Sequence, residues 1–180
     1  MRETITNPQL KETITFLQTA AQSGGKITEL EITLLPGGGN PLHYHTTYSE
    51  LFTALQGELG LQLKKGPTLF LKPGESYLVK KGEVHRFFNP GPQAITFRNE
   101  VRPGHEGFEQ TLRILSGLAA DGLYNDQGVP KSLTHLAICG ILSDMRLPGL
   151  MRLTIPVIKL LAARARRSGV EQQLIDKYCR

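Results

Sequence analysis

His43 and His45 sit two residues apart, and Glu50 follows five positions later in the stretch GGGNPLHYHTTYSELFTALQG, residues 37–57. Imidazole nitrogen and carboxylate oxygen together suit a divalent first-row transition metal. The spacing also says how the histidines are carried. On an extended chain, residues two apart point to the same face, whereas on a helix they diverge. Pro41 upstream and the β-branched and aromatic neighbours favour the extended reading. Glu50 is then expected on the next strand, after a turn at TTYS, facing back toward the histidines across a hairpin. A fourth donor, His85, follows Gly82 in PGESYLVKKGEVHRFFN, where His85 and Phe87 would share one strand face and Arg86 and Phe88 the other. Three imidazoles and one carboxylate make a ligand set for Fe, Mn, Ni, Cu or Zn. The alternative is a metal-free cluster that is only hydrogen-bonded. It is the weaker reading, since each of these groups in a dry interior needs a partner.

The elements that must position these residues are short strands. KETITFLQT, KITELEITLL, SELFTALQG, ELGLQLKK, TLFLKPG, SYLVKKG, HRFFNPG and AITFRNEV are punctuated by Gly, Pro and Asn, and several alternate apolar with polar residues. Many short strands at regular spacing indicate a sandwich or small barrel. After residues 102–107, RPGHEG, the period changes to that of helices. FEQTLRILSGLAADG places Phe108, Leu112, Leu115 and Leu118 on one face and stops at Gly122. PKSLTHLAICGILSDM offers Ser132 as an N-cap. IPVIKLLAARARRSG begins with Pro156 near its first turn and ends on Arg164, Arg166 and Arg167, where cations suit the negative end of the helix dipole. EQQLIDKY is a last short helix.

The two histidine-bearing segments resemble the two motifs of the cupin superfamily. The first runs glycine, five residues, His-x-His, three or four residues, glutamate, six residues, glycine; Gly37, His43, His45, Glu50 and Gly57 meet every spacing. The second runs glycine, five residues, Pro-x-Gly, two residues, histidine, three residues, asparagine; Gly74, Gly82, His85 and Asn89 fit, with Lys80 in place of the proline. The resemblance covers roughly residues 25–100, with the short segment between motifs typical of small single-domain bacterial cupins. It implies a mainly β fold, a cupin-type β-barrel (double-stranded β-helix or jelly roll) over residues 1–105. A C-terminal α-helical extension over 106–180 would pack on the barrel or on a dimer mate. It also implies one divalent transition metal on His43, His45, Glu50 and His85, and a frequent homodimer. Dioxygenase, decarboxylase and isomerase activities on small molecules are found in the family, as are non-catalytic ligand-binding and sensing members. Fold and metal do not choose among them. No catalytic residue stands out beyond Glu50 as a possible base.

Around this centre Phe52 and Ala54 follow Glu50 on its face, and Phe87 follows His85. These three would line an apolar pocket with the metal at its polar end, or serve as plain core. Arg98 and Arg102 on the last strand are candidates for recognising an anionic substrate. Tyr44, Tyr48 and Tyr77 are candidates for a pocket hydroxyl, although such tyrosines more often sit at rims. Lone histidines such as His105 and His135 are more often structural or exposed.

The bulk numbers restrict the remaining classes. At 180 residues the chain suits one domain with an elaboration. Its net charge of +5 is mild, and no basic run is interleaved with aromatics, which argues against nucleic acid. Cys139 and Cys179 have neither metal nor redox spacing, so a reducing compartment fits. MRETITNPQLKE lacks an apolar leader core, and the most apolar stretch, LPGLMRLTIPVIKLLAARA, is interrupted by Arg152, Pro156 and Lys159. A cytoplasmic protein without a membrane span is expected. The run RARR at 164–167 reads as a solvated helix end; a membrane-surface role would require an apolar face turned toward lipid.

Overall fold

A computed structural model describes residues 2–179. Nine strands come first among these residues: β1 Thr4–Asn7, β2 Glu12–Gln18, β3 Thr28–Leu34, β4 Ser49–Gln56, β5 Leu59–Leu63, β6 Thr68–Leu71, β7 Ser76–Val79, β8 His85–Phe88 and β9 Ile95–Arg102. They form a six-stranded sheet in the order β1-β2-β3-β9-β4-β7 and a three-stranded sheet in the order β6-β5-β8, antiparallel throughout. This is the cupin jelly roll expected from the two motifs, followed by a helical extension.

Strict alternation makes the two layers face each other. Leu30, Ile32 and Leu34 of β3, Phe52 and Ala54 of β4, and Ile95, Phe97 and Val101 of β9 are buried, while their sequence neighbours are not. All of these but Val101 meet Leu59, Leu61 and Leu63 of β5 and Phe87 of β8 in one core. Each such side chain contributes roughly 1.5–3 kcal/mol of burial. The motif glycine Gly57 closes β4 at φ +74°, and a Cβ there would lie 2.6 Å from Ile95 Cγ2. Another motif residue, Asn89, holds the turn after β8. Itself buried, it donates to Leu34 O and Gln93 O and accepts from the Gly91 amide.

The helices are α1 Glu106–Ala120, α2 Leu133–Leu142, α3 Ile155–Arg167 and α4 Val170–Tyr178, with a 3-10 turn at Gly149–Thr154. Ser132 caps α2 as its type suggests, accepting from the His135 amide at 3.2 Å. His105 caps α1 through Nδ1, which accepts from the Phe108 amide at 3.0 Å. The helices build a second core from Ile114, Leu118, Ile138, Cys139, Ala165 and Leu174. Gly117 lets α4 approach α1 closely, since a Cβ there would strike the Tyr178 ring.

Glu109 joins α1 to the barrel. Its Oε1 accepts from the Ala20 amide at 2.6 Å and from the Thr28 hydroxyl at 2.5 Å, and Arg113 lies 3.8 Å from Oε2. Arg113 also pairs with Glu3 and lies over the Phe16 ring.

Candidate metal centre

The histidine pair and Glu50 do not share a hairpin. His43 bridges His85 of β8 in both directions, with N–H···O distances of 2.9 Å, and Gly39 bridges Phe88. β4 instead pairs with β7 and β9 in the other sheet. The four residues therefore converge from opposite layers, and the centre lies between the sheets. The turn residues 46–48 lead the chain from one layer to the other, so they do not fold it back on itself. Gly82 ties the two motifs together: at φ +79° its amide donates to His45 O at 2.6 Å.

All four side chains are buried, and one ligand atom from each lies within 4.8 Å of the others. Glu50 Oε2 is 3.0 Å from His85 Nε2 and 3.4 Å from His45 Nε2. Atoms sharing an ion at about 2.1 Å are separated by roughly 3–4.4 Å, so the arrangement is close to a ligand shell.

Hydrogen bonding settles which nitrogens face the centre. His43 Nδ1 lies 2.8 Å from Pro41 O, and His85 Nδ1 lies 3.1 Å from Glu83 O. A carbonyl only accepts, so both Nδ1 atoms carry a proton, and in the neutral imidazole each Nε2 presents its lone pair to the centre. His45 Nδ1 is 2.7 Å from Tyr48 Oη, whose own hydrogen is donated to Ser143 O at 2.9 Å. That leaves Tyr48 Oη to accept, and His45 takes the same tautomer. Glu50 Oε1 accepts from Asn99 Nδ2 at 2.9 Å. The buried His45 Nε2, His85 Nε2 and Glu50 Oε2 have no hydrogen-bond partner. Buried polar atoms without partners are costly and rare, and these three lie together, both nitrogens within 3.4 Å of Glu50 Oε2. Such outward bonds from Nδ1 are the usual way proteins orient metal-binding imidazoles.

Electrostatics agree for His43, His45 and Glu50, and pull the other way at His85. Burial pushes the His43 pKa down to about 3, helped by His85 and His45. Burial also lowers His45. Burial alone would raise Glu50, but the imidazoles of His45 and His85 hold it well below the usual carboxylate range. Burial disfavours the His85 cation, but the nearby Glu50 carboxylate favours it and shifts His85 upward overall. An ionised carboxylate beside mostly neutral imidazoles is the state that binds a cation.

Residues 30–97 match the family model described as the cupin domain. This chain carries a cupin domain. Among curated proteins it is similar to germin-like protein 3-8 of Oryza sativa subsp. japonica, 34% identical over 108 residues, covering 56% of this chain and 46% of that protein. It is also similar to the uncharacterized protein YdbB of Bacillus subtilis, 46% identical over 44 residues, covering 24% of this chain and 39% of that protein. The alignments thus span less than half the length of these relatives. A solved structure described as a predicted oxalate decarboxylase from Thermotoga maritima shares the fold, at 21% identity and a TM-score of 0.50, covering 57% of this chain and 92% of that one.

The remaining candidates divide in two within the cupin domain. Phe52, Ala54 and Phe87 are buried beside the cluster, with the Phe52 and His85 ring centroids 5.8 Å apart, and belong to the continuous core. Arg98 does not join them. It lies on the outward phase of β9, its side chain 40% exposed, with Nε 3.2 Å from Glu29 Oε1. Arg102 pairs with Glu100 at the exposed strand end. The tyrosines also separate: Tyr48 supports His45, while Tyr77 donates to Glu83 in the 80–83 turn. Lys80, where cupins usually carry proline, uses the amide that proline lacks, donating to Glu83 Oε2 at 3.0 Å.

Two supporting residues escaped the reading of the sequence. Asn99 had a usable signal, a polar residue on the inward phase of β9 between Phe97 and Val101. Asp144 had none. From the end of α2, its carboxylate accepts from the Thr46 and Thr47 amides at 2.6 and 2.8 Å and from both hydroxyls. Its backbone O lies 3.3 Å from His45 Nδ1. The helical extension thus holds the loop that carries His45.

Proposed function

We propose that this protein is a metal-dependent cupin enzyme acting on a small molecule, with one divalent transition metal held by His43, His45, Glu50 and His85. The observation that carries the reading is the convergence of three partnerless buried atoms, His45 Nε2, His85 Nε2 and Glu50 Oε2. A metal bound there supplies Lewis acidity and a place for substrate and an attacking group to be held together. The chain's own residues do the rest. The Nδ1 bonds to Pro41, Tyr48 and Glu83 orient the imidazoles, and Asn99 fixes one oxygen of Glu50. Phe52, Phe87 and Phe108 keep the surroundings apolar. Glu50 is the base candidate, being an ionised carboxylate with one oxygen bound and the other facing the centre. Oxidoreductase, lyase and isomerase chemistry all remain within this description. The site belongs to a barrel unit at 1–105, and the helices at 106–180 form a separate, supporting unit.

Elemental analysis after purification without a metal-affinity step tests the proposal. About one equivalent of Fe, Mn, Ni, Cu or Zn is expected, and it should be lost in His45→Ala and Glu50→Ala. No uptake after reconstitution with each ion would overturn it. Burial favours a second reading, a non-catalytic ligand-binding or sensing cupin, because His45 lies beneath Tyr48 and Phe108. Loading with Co(II) separates the two. A catalytic centre keeps an open position and changes its visible spectrum with added azide, whereas a closed centre does not.

A further inference from the structure

The segment that looked too interrupted to span a membrane presents an apolar stripe to solvent. Leu150, Leu153, Val157 and Leu160 are exposed by 85, 76, 58 and 64%. Their spacing of three, four and three residues carries the stripe along the 3-10 turn and the first two turns of α3. The opposite face of α3 is the packed one, with Ala162 and Ala165 buried. So these side chains are turned outward, away from the packed face of α3.

Charge singles out the same segment. Six of the chain's 21 Lys and Arg residues lie between positions 145 and 170, and none of its 16 Asp and Glu residues does. The rest of the chain therefore carries 15 cations against 16 anions, although Asp144 and Glu171, just outside these bounds, pair with Arg146 and Arg166. Lys159, Arg164 and Arg167 are exposed beside the stripe. A second copy of the face would set cations against cations. An anionic surface complements both features at once.

We propose that residues 149–167 form a docking face for an anionic lipid bilayer, with α3 lying in the interface and its leucines among the lipid headgroups and upper acyl chains. Among the described residues no helix is long and apolar enough to cross a membrane, so the attachment is peripheral.

Flotation of the full chain with vesicles tests this, using phosphatidylcholine alone and phosphatidylcholine mixed equally with phosphatidylserine. Binding is expected on the mixed vesicles and should weaken as salt rises. Leu153→Ser with Leu160→Ser should lower partitioning about 100-fold, roughly tenfold for each inserted side chain. Arg164→Gln with Arg167→Gln should lower it about 25-fold, roughly fivefold for each cation. Arg166 is left intact because it pairs with Glu171. All four positions are exposed, and an unchanged thermal midpoint confirms that each variant folds. No binding to mixed vesicles overturns the proposal. So does binding that survives both pairs of substitutions. Equal affinity for soluble polyglutamate, insensitive to the leucine changes, would assign the face to an acidic protein instead. A dimer in light scattering that the leucine pair converts to monomer, without vesicle binding, would assign it to a second copy.

Discussion

Two buried carboxylates divide the molecule into regions with different purposes. At the seam between barrel and helices, Glu109 is 4% exposed and finds all its partners inside the chain: an amide, a hydroxyl and a guanidinium. Between the two sheets, Glu50 is 3% exposed and has a partner for one oxygen only. Burial is the same, and the local chemistry differs. A carboxylate satisfied by its own protein holds structure together. One whose second oxygen meets two imidazole nitrogens that have no other partner is held ready for something that arrives from outside. Buried charge by itself therefore does not mark a functional site; the unfilled hydrogen-bonding capacity does.

Removing each carboxylate should produce different losses. Glu109→Ala is expected to cost about 2–6 kcal/mol, about 1–3 for each of the two donors it strands in a buried seam, the Ala20 amide and the Thr28 hydroxyl. Urea unfolding should give the same loss with and without a chelator. If the loss depended on metal, the seam and the centre would be one unit, and the contrast would fail.

Glu12 offers a third case, buried on β2 with its pKa raised by burial to about 7. A folded-state value above the ordinary 4.5 means that the folded protein holds the proton more tightly. Its contribution is fully present below about pH 4.5 and is lost as pH rises through about 7, a change of about 3 kcal/mol. Unfolding free energies measured at pH 5 and pH 8 should show this slope, and Glu12→Gln should flatten it. An unchanged slope would mean that Glu12 is ionised and partnered like Glu109.

Metal should stabilise through Glu50 alone among the three. Adding ion to about 100 times its dissociation constant should raise stability by about 2.7 kcal/mol. Glu50→Gln should abolish that increment while leaving the metal-free protein at least as stable as before. Calorimetric scans of both forms with and without ion would check it, and an increment surviving in the variant would place the ion elsewhere.

The smallest effect is expected one bond further out. Tyr48→Phe removes the acceptor for His45 Nδ1 but leaves Asp144 O nearby at 3.3 Å. Metal affinity should fall about tenfold, the lower end for loss of an orienting partner. Titration against a competing chelator measures it. A loss as large as that of Glu50→Gln would show that the tyrosine is a structural support for the whole centre.

The sequence by itself carried the local decisions. Alternation in KITELEITLL and AITFRNEV, the helical period after residue 107 and the Ser132 cap each depend on neighbours a few residues away, and each is where it was expected. β1 was not legible, because four residues of TITN carry little pattern until β2 pairs with them. The partners chosen by each segment were decided only in three dimensions. Local spacing is blind to whether residues 43–45 turn back on β4 or cross to β8, and the crossing puts the ligands on opposite sheets. Arg98 turned outward because β9 gave its inward phase to Phe97 and Asn99. Asp144 reached Thr46 across 98 positions of chain, a contact that exists because α2 ends beside the loop carrying His45. Spacing chose the kinds of atom that could meet; chain crossings and helix packing chose which of them do.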